Sequence, residues 1–488
     1  MITATIGKIF LEAYNKKYGK KYDAKTFFVE VYNPLFFGGS KYLQWVQNSP
    51  FVQGLVSTSK NESGYVLKNN SDKSLTFKSE NDAQKYIDEQ KIPSKDILEI
   101  QKEKNKSQFK VIRKLKPNDF NTMLNAFLEK VDNCITPDAS IAPGFPASEE
   151  KEFATTSGQV TNLNLETDKD DIFLSWIGSS LGVGLQGGLS ILFPEPIILL
   201  DLYEGWEMYR KVITENDRLR GNQVNTWNGQ WLAHRYSKYF RQEQPMADFT
   251  PFETTNDGMS VATQSWTKVL IGVSWQFDNP KMMGYVYNLG QTNTTIGFIP
   301  FSLEHIRRPI QLYAKLFGID EGKKAEDLWG TENGFRACCQ RGAIGIEAMQ
   351  PKGLRQYMKA EKDKTVRLPK YDDKQVINFH TYQIWLLAML NNEELWTKSI
   401  EFALMLQEYV NKDKKLSTKR GNLVKTILAS TSKRAILSAL SEIVSDVEAF
   451  NEIEENAKII HLMPTDNVPY YLTLIRFHYA GMSNKNNH

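Results

Sequence analysis

The chain has 488 residues, 41% of them hydrophobic, with 60 Lys/Arg against 57 Asp/Glu and a formal net charge of +3. That length exceeds what one core fills, so two or three domains are expected, and near-neutrality means that any basic character that matters is local. Three cysteines (Cys134, Cys338, Cys339) exclude a disulfide scaffold and lack the C-x-x-C spacing of a structural zinc site, and no apolar run approaches the ~20 residues of a membrane span.

Residues 1 to 58 open with an amphipathic helix carrying Ile6, Ile9, Phe10 and Tyr14. An aromatic block punctuated by Pro34, Gly38 and Gly39 follows. The opening apolar stretch is short and Lys-interrupted, unlike a signal peptide, so a reduced, cytoplasmic chain is expected. From 59 to 116 the composition turns polar and Lys-rich. Residues 64 to 79 predict a β-hairpin around an Asn-Asn-Ser-Asp turn, and 81 to 90 a short helix with Asn81 near its N-cap. Residues 101 to 116 carry seven basic residues against one acid, with strand-like spacing at Phe109, Val111 and Leu115. Lys106, Lys110, Arg113 and Lys114 therefore form a candidate positive edge. A solvated Lys-rich face is the competing reading.

The stretch 136 to 171, rich in Pro, Ser, Thr and acids, reads as a linker or long surface loop. Beyond it the chain alternates helical runs and short strands, with strand-like 269 to 277 (VLIGVSWQF). From 376 to 483, apolar residues at three- and four-residue spacing predict about four amphipathic helices. The expected fold is α+β: a mixed α/β N-terminal and central region followed by a C-terminal α-helical bundle. The boundaries are 1–150 for an N-terminal α+β domain with the Lys-rich subdomain at 59–116, 151–375 for a central mixed domain, and 376–488 for the bundle.

Gly182, Gly184 and Gly187 spell G-x-G-x-x-G, but Pro194 and Pro196 would break the helix that a dinucleotide site needs there. A hinge or tight packing site fits better. Asp168, Asp170 and Asp171 with Glu321-x-Lys323 or Glu347 can be forced into a nuclease-like pattern, at unremarkable spacing. The six histidines are scattered, and no nucleophile constellation stands out. No cofactor, metal site or catalytic residue is expected.

Basic residues concentrate elsewhere. The segment 203 to 241 interleaves Arg218, Arg220 and Arg235 with Asn225, Asn228 and Gln230, and with Trp227, Trp231 and Tyr236. Cations neutralise phosphates, amides hydrogen-bond base edges and aromatics stack. The alternative is a helix-loop-helix whose amides cap backbone groups and whose tryptophans are core. Residues 412 to 434 hold eight Lys/Arg (Lys412, Lys414, Lys415, Lys419, Arg420, Lys425, Lys433, Arg434) against Asp413 alone. The next eighteen residues, 441 to 458, reverse the sign with six acids against one Lys. Such segregation suggests a helical module offering a polyanion a positive face.

An aromatic N-terminal part with a Lys-rich insertion, a central α/β region and the closing segment NLVKTILASTSKRAILSALSEIV…KIIHLMPTDNVPYYLTLIRFHYAGM together resemble the large subunit of type I CRISPR interference complexes (Cascade). The resemblance covers the layout and about a hundred residues in detail. It implies a non-catalytic, antiviral, DNA-binding subunit of an RNA-guided complex. Such a subunit reads a short motif beside the target (PAM recognition), holds the displaced single strand and presents a surface to a helicase-nuclease effector. Its partners would be the guide RNA complex with its backbone subunits and double-stranded target DNA, with no membrane. Lys412 to Arg434 would form the strand track. Asn225, Asn228 and Gln230, or the 38 to 48 loop with Lys41 and Asn48, would read the motif. A metal-dependent nuclease of a defence system and a protein-protein scaffold are the alternatives.

Overall fold

The computed structural model describes residues 2–44, 46, 49, 51, 65–67, 76–89, 97–102, 109–115, 120–133, 168–256, 258–288, 294–318, 325–330, 332–360, 365–444 and 450–485. The fold is α+β, dominated by helices. It divides into two compact units, the first comprising Met1–Arg235, Tyr239–Thr263 and Tyr287–Thr295, the second Tyr236–Lys238, Gln264–Val286 and Ile296–His488.

In the first unit, helix α1 (Ile2–Tyr18) packs on α6 (Lys169–Ser180) at backbone contact. A side chain at Gly7 would overlap the Leu174 carbonyl, and one at Gly178 the Thr3 carbonyl. The glycines therefore set the helix spacing. Thr3 and Ser175 join hydroxyls across the same seam at 2.6 Å. Helices α2 (Ala24–Phe27) and α3 (Asn33–Phe37) are joined by one π-helical turn, Phe28–Tyr32. Their rings meet Phe10, Trp176 and Trp206 in a fully buried aromatic core. The Lys-rich insertion holds strands β1 (Tyr65–Leu67), β2 (Thr76–Phe77), β3 (Ile97–Lys102) and β4 (Phe109–Leu115) around α4 (Glu80–Glu89). The expected hairpin does not form from neighbouring strands. β1, β2 and β3 each pair antiparallel with the seven-residue β4, so among the described residues β1 and β2 meet on β4 and not on each other. The cap of α4 falls on Ser79, whose hydroxyl accepts the Asp82 N–H, two residues before the expected Asn81.

Helix α5 (Phe120–Asp132) buries Phe127 and Val131. The linker assigned to 136–171 lies outside the described residues except for its end, where Asp168 caps α6. The G-x-G-x-x-G stretch is a hairpin of β5 (Val183–Leu185) and β6 (Leu189–Leu192), turned at Gly187 and Gly188 with positive φ. Pro196 opens the 20-residue α7 (Pro196–Glu215) at N1, where its missing N–H costs nothing. Helix α8 (Val224–Arg235) and the ribbon β7 (Phe252–Thr255) with β8 (Gly258–Val261) complete this unit.

In the second unit, residues 269 to 277, expected as a strand, lie mostly in helix α9 (Trp266–Gln276). Ser265 caps it by accepting the Lys268 N–H. Residues 269 to 274 are buried without interruption, so this run shows no helical alternation of apolar and polar positions and cannot be told from a buried strand by its periodicity. Neighbouring strands β9 (Lys281–Asn288) and β10 (Thr294–Ser302) carry the chain between units. Helices α10 (Leu303–Phe317) and α11 (Glu332–Gln340) follow, then short 3-10 turns at Ile346–Met349 and Leu354–Tyr357. Among the described residues, six C-terminal helices stand where about four were expected: α12 (Val376–Leu390), α13 (Glu394–Asn411), α14 (Ser417–Ala429), α15 (Lys433–Ile443), α16 (Phe450–Leu462) and α17 (Val468–Lys485). The difference arises because short described joints such as 391–393 and 430–432 break the apolar pattern with neither Gly nor Pro to mark them. Helix α17 buries Leu472, Leu474, Ile475 and Phe477 against α12 and α13. Among the described residues, no helix is long and apolar enough to cross a membrane.

Candidate nucleic-acid interface

The basic run 412 to 434 spans the α13–α14 turn, all of α14 and the first turn of α15. Lys412 caps the C-terminus of α13, where a cation meets the negative end of the helix dipole. Asp413, the only acid of the run, accepts the Lys415 N–H at 2.8 Å and so shapes the turn. Helix α14 seats Val424, Ile427 and Leu428 inward, and this packing turns Lys419 and Lys425 to solvent. Ser432 then caps α15 by accepting the Ala435 N–H.

Two of the eight cations are committed to structure. Arg420 is 7% exposed, its guanidinium stacked 4.8 Å from the Tyr409 ring centroid and donating to the Tyr409 carbonyl. It braces α14 on α13. Lys433 donates to the His461 carbonyl at 2.8 Å, closing the C-terminus of α16. Lys412, Lys414, Lys415, Lys419, Lys425 and Arg434 are exposed. Among the described residues, Lys414, Lys415, Lys419, Lys425 and Arg434 form no ion pair. No described acid of 441 to 458 pairs with them. Glu455 pairs with Lys398 at 3.0 Å and Glu454 with Lys458 at 2.8 Å. Asp446 and Glu448 lie outside the described residues.

The amides of 203 to 241 have a different fate. Asn228 is fully buried, donating to the Ser180 and Gly182 carbonyls at 2.7 and 2.9 Å and accepting from the Trp206 indole. Gln230 donates to the Ala262 carbonyl at 2.7 Å, and Asn225 faces the Ser179 carbonyl. Arg235 is held by Asp201 and Glu204 and lies over the Phe240 ring. Trp227 and Trp231 are core. The segment is the helix-loop-helix of the alternative reading. The cause is local: α8 packs so closely on α7 that a side chain at Gly205 would meet the Trp231 ring at 2.5 Å.

The 38 to 48 loop expected as a motif reader runs beside the 216–224 segment that leads into α8. Asn222 and Val224 donate backbone N–H groups to the Tyr42 and Leu43 carbonyls, and the Lys41 amine donates to the Asn216 carbonyl at 2.7 Å. Burial there pulls the Lys41 amine below the ordinary lysine range. Arg210 spans the same joint, donating to the Leu35, Phe36 and Lys41 carbonyls. Arg218 and Arg220 are exposed on this corner. Asn48 and Lys106 lie outside the described residues. For Lys110, Arg113 and Lys114 only the backbone register on β4 is described, opposite Thr76, Leu67 and Val66 respectively.

The acids offered as a nuclease pattern have structural duties. Asp168 and Asp171 form a reciprocal capping box at the start of α6, and Glu347 pairs with Arg341 at 2.8 Å. Desolvation, with Asp168, Asp23 and Asp171 nearby, raises the Asp170 carboxyl above its ordinary range. Glu321 and Lys323 lie outside the described residues. Among the described residues, no three His, Cys, Asp or Glu side chains gather in a metal-holding group.

Charge counting along the sequence reaches one further stretch that the reading above passed over. Residues 352 to 370 carry seven Lys/Arg against two acids. Comparison with family models, curated proteins and solved structures finds no match for this chain.

Proposed function

We propose that this chain is a non-catalytic nucleic-acid-binding protein that holds a DNA strand along α14 and its two flanking turns. One observation carries the reading: Lys414, Lys415, Lys419, Lys425 and Arg434 are solvent-exposed and free of ion pairs among the described residues. Thirteen residues of α14 extend about 20 Å at ~1.5 Å per residue. That span matches about six phosphates at the ~3.4 Å duplex spacing of one strand, and fewer in an extended strand. No aromatic residue occurs between 412 and 434, so this track grips backbone charge and is indifferent to base identity. A role as the large subunit of a type I CRISPR interference complex is of this kind. It would place guide RNA and its backbone subunits, duplex target, displaced strand and a helicase-nuclease effector as partners. Within it, the joined 41–44 and 216–222 loops, with Arg218 and Arg220, are the better candidates for motif contact than Asn228 or Gln230.

The test is binding of labelled single-stranded and duplex DNA across a salt series. Replacing Lys414, Lys415, Lys419 and Lys425 by Ala is expected to weaken binding equally for all sequences. The single-strand salt slope should flatten by about 3, at ~0.7 per lost phosphate contact. An unchanged slope removes the track, and no binding at any salt removes the reading.

A further inference from the structure

Arg476 of α17 is 1% exposed, yet among the described residues no acid pairs with it. Its guanidinium donates to the Leu428 carbonyl at 2.5 Å, to Ser430, to the Thr473 hydroxyl at 2.9 Å and to the Tyr357 carbonyl at 2.9 Å. One planar group of a few ångströms therefore holds two chain segments side by side. One is the C-terminal end of α14, which leads into Arg434. The other is the 3-10 turn Leu354–Tyr357, which lies inside the basic stretch 352 to 370.

The described cations of that stretch are exposed. Lys352, Arg355, Lys359, Arg367 and Lys370 all face solvent and form no ion pair among the described residues. Arg367 is preset: its guanidinium donates to the Gln356 side chain at 2.7 Å and lies 5.9 Å from the centroid of the Tyr357 ring. Tyr357 is itself wedged edge-on against Phe477 at 5.3 Å. A guanidinium laid over a tyrosine exposes its other flat face, a surface on which an unpaired base stacks. This supplies what α14 lacks, since that helix carries no aromatic residue and its one guanidinium, Arg420, is buried against Tyr409.

We infer that Lys352, Arg355, Lys359, Arg367 and Lys370 continue the α14 track, taking the phosphates of a single strand as it passes the C-terminal end of α14 and stacking a base on Arg367. The inference rests on the nucleic-acid reading above and names single-stranded nucleic acid, with its bases unpaired, as the ligand of this part.

The experiment uses the full chain and a length series of labelled oligothymidines. Wild-type affinity should keep rising beyond the length at which α14 alone is filled. The variant Arg355→Gln/Lys359→Gln/Arg367→Gln should reach its plateau at shorter length, with a salt slope flatter by about 2 at ~0.7 per contact. An abasic oligomer should lose affinity for the wild type and none for the variant. If Arg367→Gln lowers the unfolding midpoint, the pair Arg355→Gln/Lys359→Gln gives the same test with a change of about 1.4. A variant matching wild type in slope, plateau and abasic response, while the α14 variant loses slope, overturns this inference alone. A wild-type chain that binds no oligonucleotide overturns both.

Discussion

Ser399 and His478 share a hydrogen bond of 2.9 Å between Oγ and Nδ1, buried between α13 and α17. Ser399 also donates to the Trp396 carbonyl at 2.8 Å, which uses its only proton. The imidazole must then carry its hydrogen on Nδ1 and donate it to the serine. Its Nε2 is buried with no hydrogen-bond partner, and the Trp396 ring meets the imidazole edge-on at 4.5 Å. Desolvation accordingly pulls the His478 pKa from 6.5 down to about 3.

The sign of the pH effect follows. Between those two values the unfolded chain binds a proton that the folded chain refuses, so stability is full above pH 6.5 and falls as pH drops toward 3. Lowering the pH two units below 6.5 should cost about 3 kcal/mol from this group, at ~1.36 per unit. His478→Phe should show a flatter denaturant midpoint against pH over that window. An equally steep curve would assign the loss to other groups.

Arg476 makes a separate stability prediction. Arg476→Met strands the Leu428, Ser430 and Tyr357 carbonyls and should cost about 3–5 kcal/mol by chemical denaturation, despite removing a buried charge. Burial already brings that guanidinium down to about 10. Arg476→Lys should recover part of the loss, because one ammonium reaches fewer of the carbonyls than the fork does.

Glycine substitutions should split by location. Gly178→Ala drives a methyl into the Thr3 carbonyl and should cost about 1–3 kcal/mol or more. Gly421→Ala, inside α14 with nothing near its side-chain position, should stabilise by about 0.5–1 kcal/mol. Thermal unfolding midpoints moving in opposite directions would confirm both environments. A stabilised Gly178→Ala protein would contradict the close α1–α6 crossing.

Asn228→Ala is expected to destabilise by about 2–4 kcal/mol, leaving the Trp206 indole and two carbonyls buried without their partner. Any nucleic-acid sequence preference should be unaffected in the fraction that folds. A well-folded variant with altered preference would return Asn228 to the list of base readers.

That residue shows where sequence reasoning reaches its limit. An asparagine among arginines and tryptophans has the composition of a recognition surface. Only the third dimension reveals that Gly205 lets α8 sink onto α7 and takes Asn228 inside. Arg420 misleads in the same way, since its neighbours Lys419 and Lys425 are exposed while it turns 100° inward to Tyr409. What the sequence does convey is charge segregation and the α+β order of elements, because both are linear properties. Strand partnership is not linear. β4 draws in β1, β2 and β3 across gaps that a local turn signal cannot report. Nor is the choice between strand and buried helix at 269 to 277, where six successive residues, 269 to 274, are buried.

The single π-helical turn at Phe28–Tyr32 has a consequence for how this molecule can change. Its wider loop inserts one residue into an otherwise continuous α2–α3 rod, so everything after it is rotated by about 100° relative to an unbroken helix. Tyr32 bonds Gln44 at 2.5 Å and Ser180 at 2.6 Å only in that phase. Loss of one codon between 28 and 32 would swing Phe36 and Phe37 out of their sockets together, so a single-residue deletion there should cost far more than a point change.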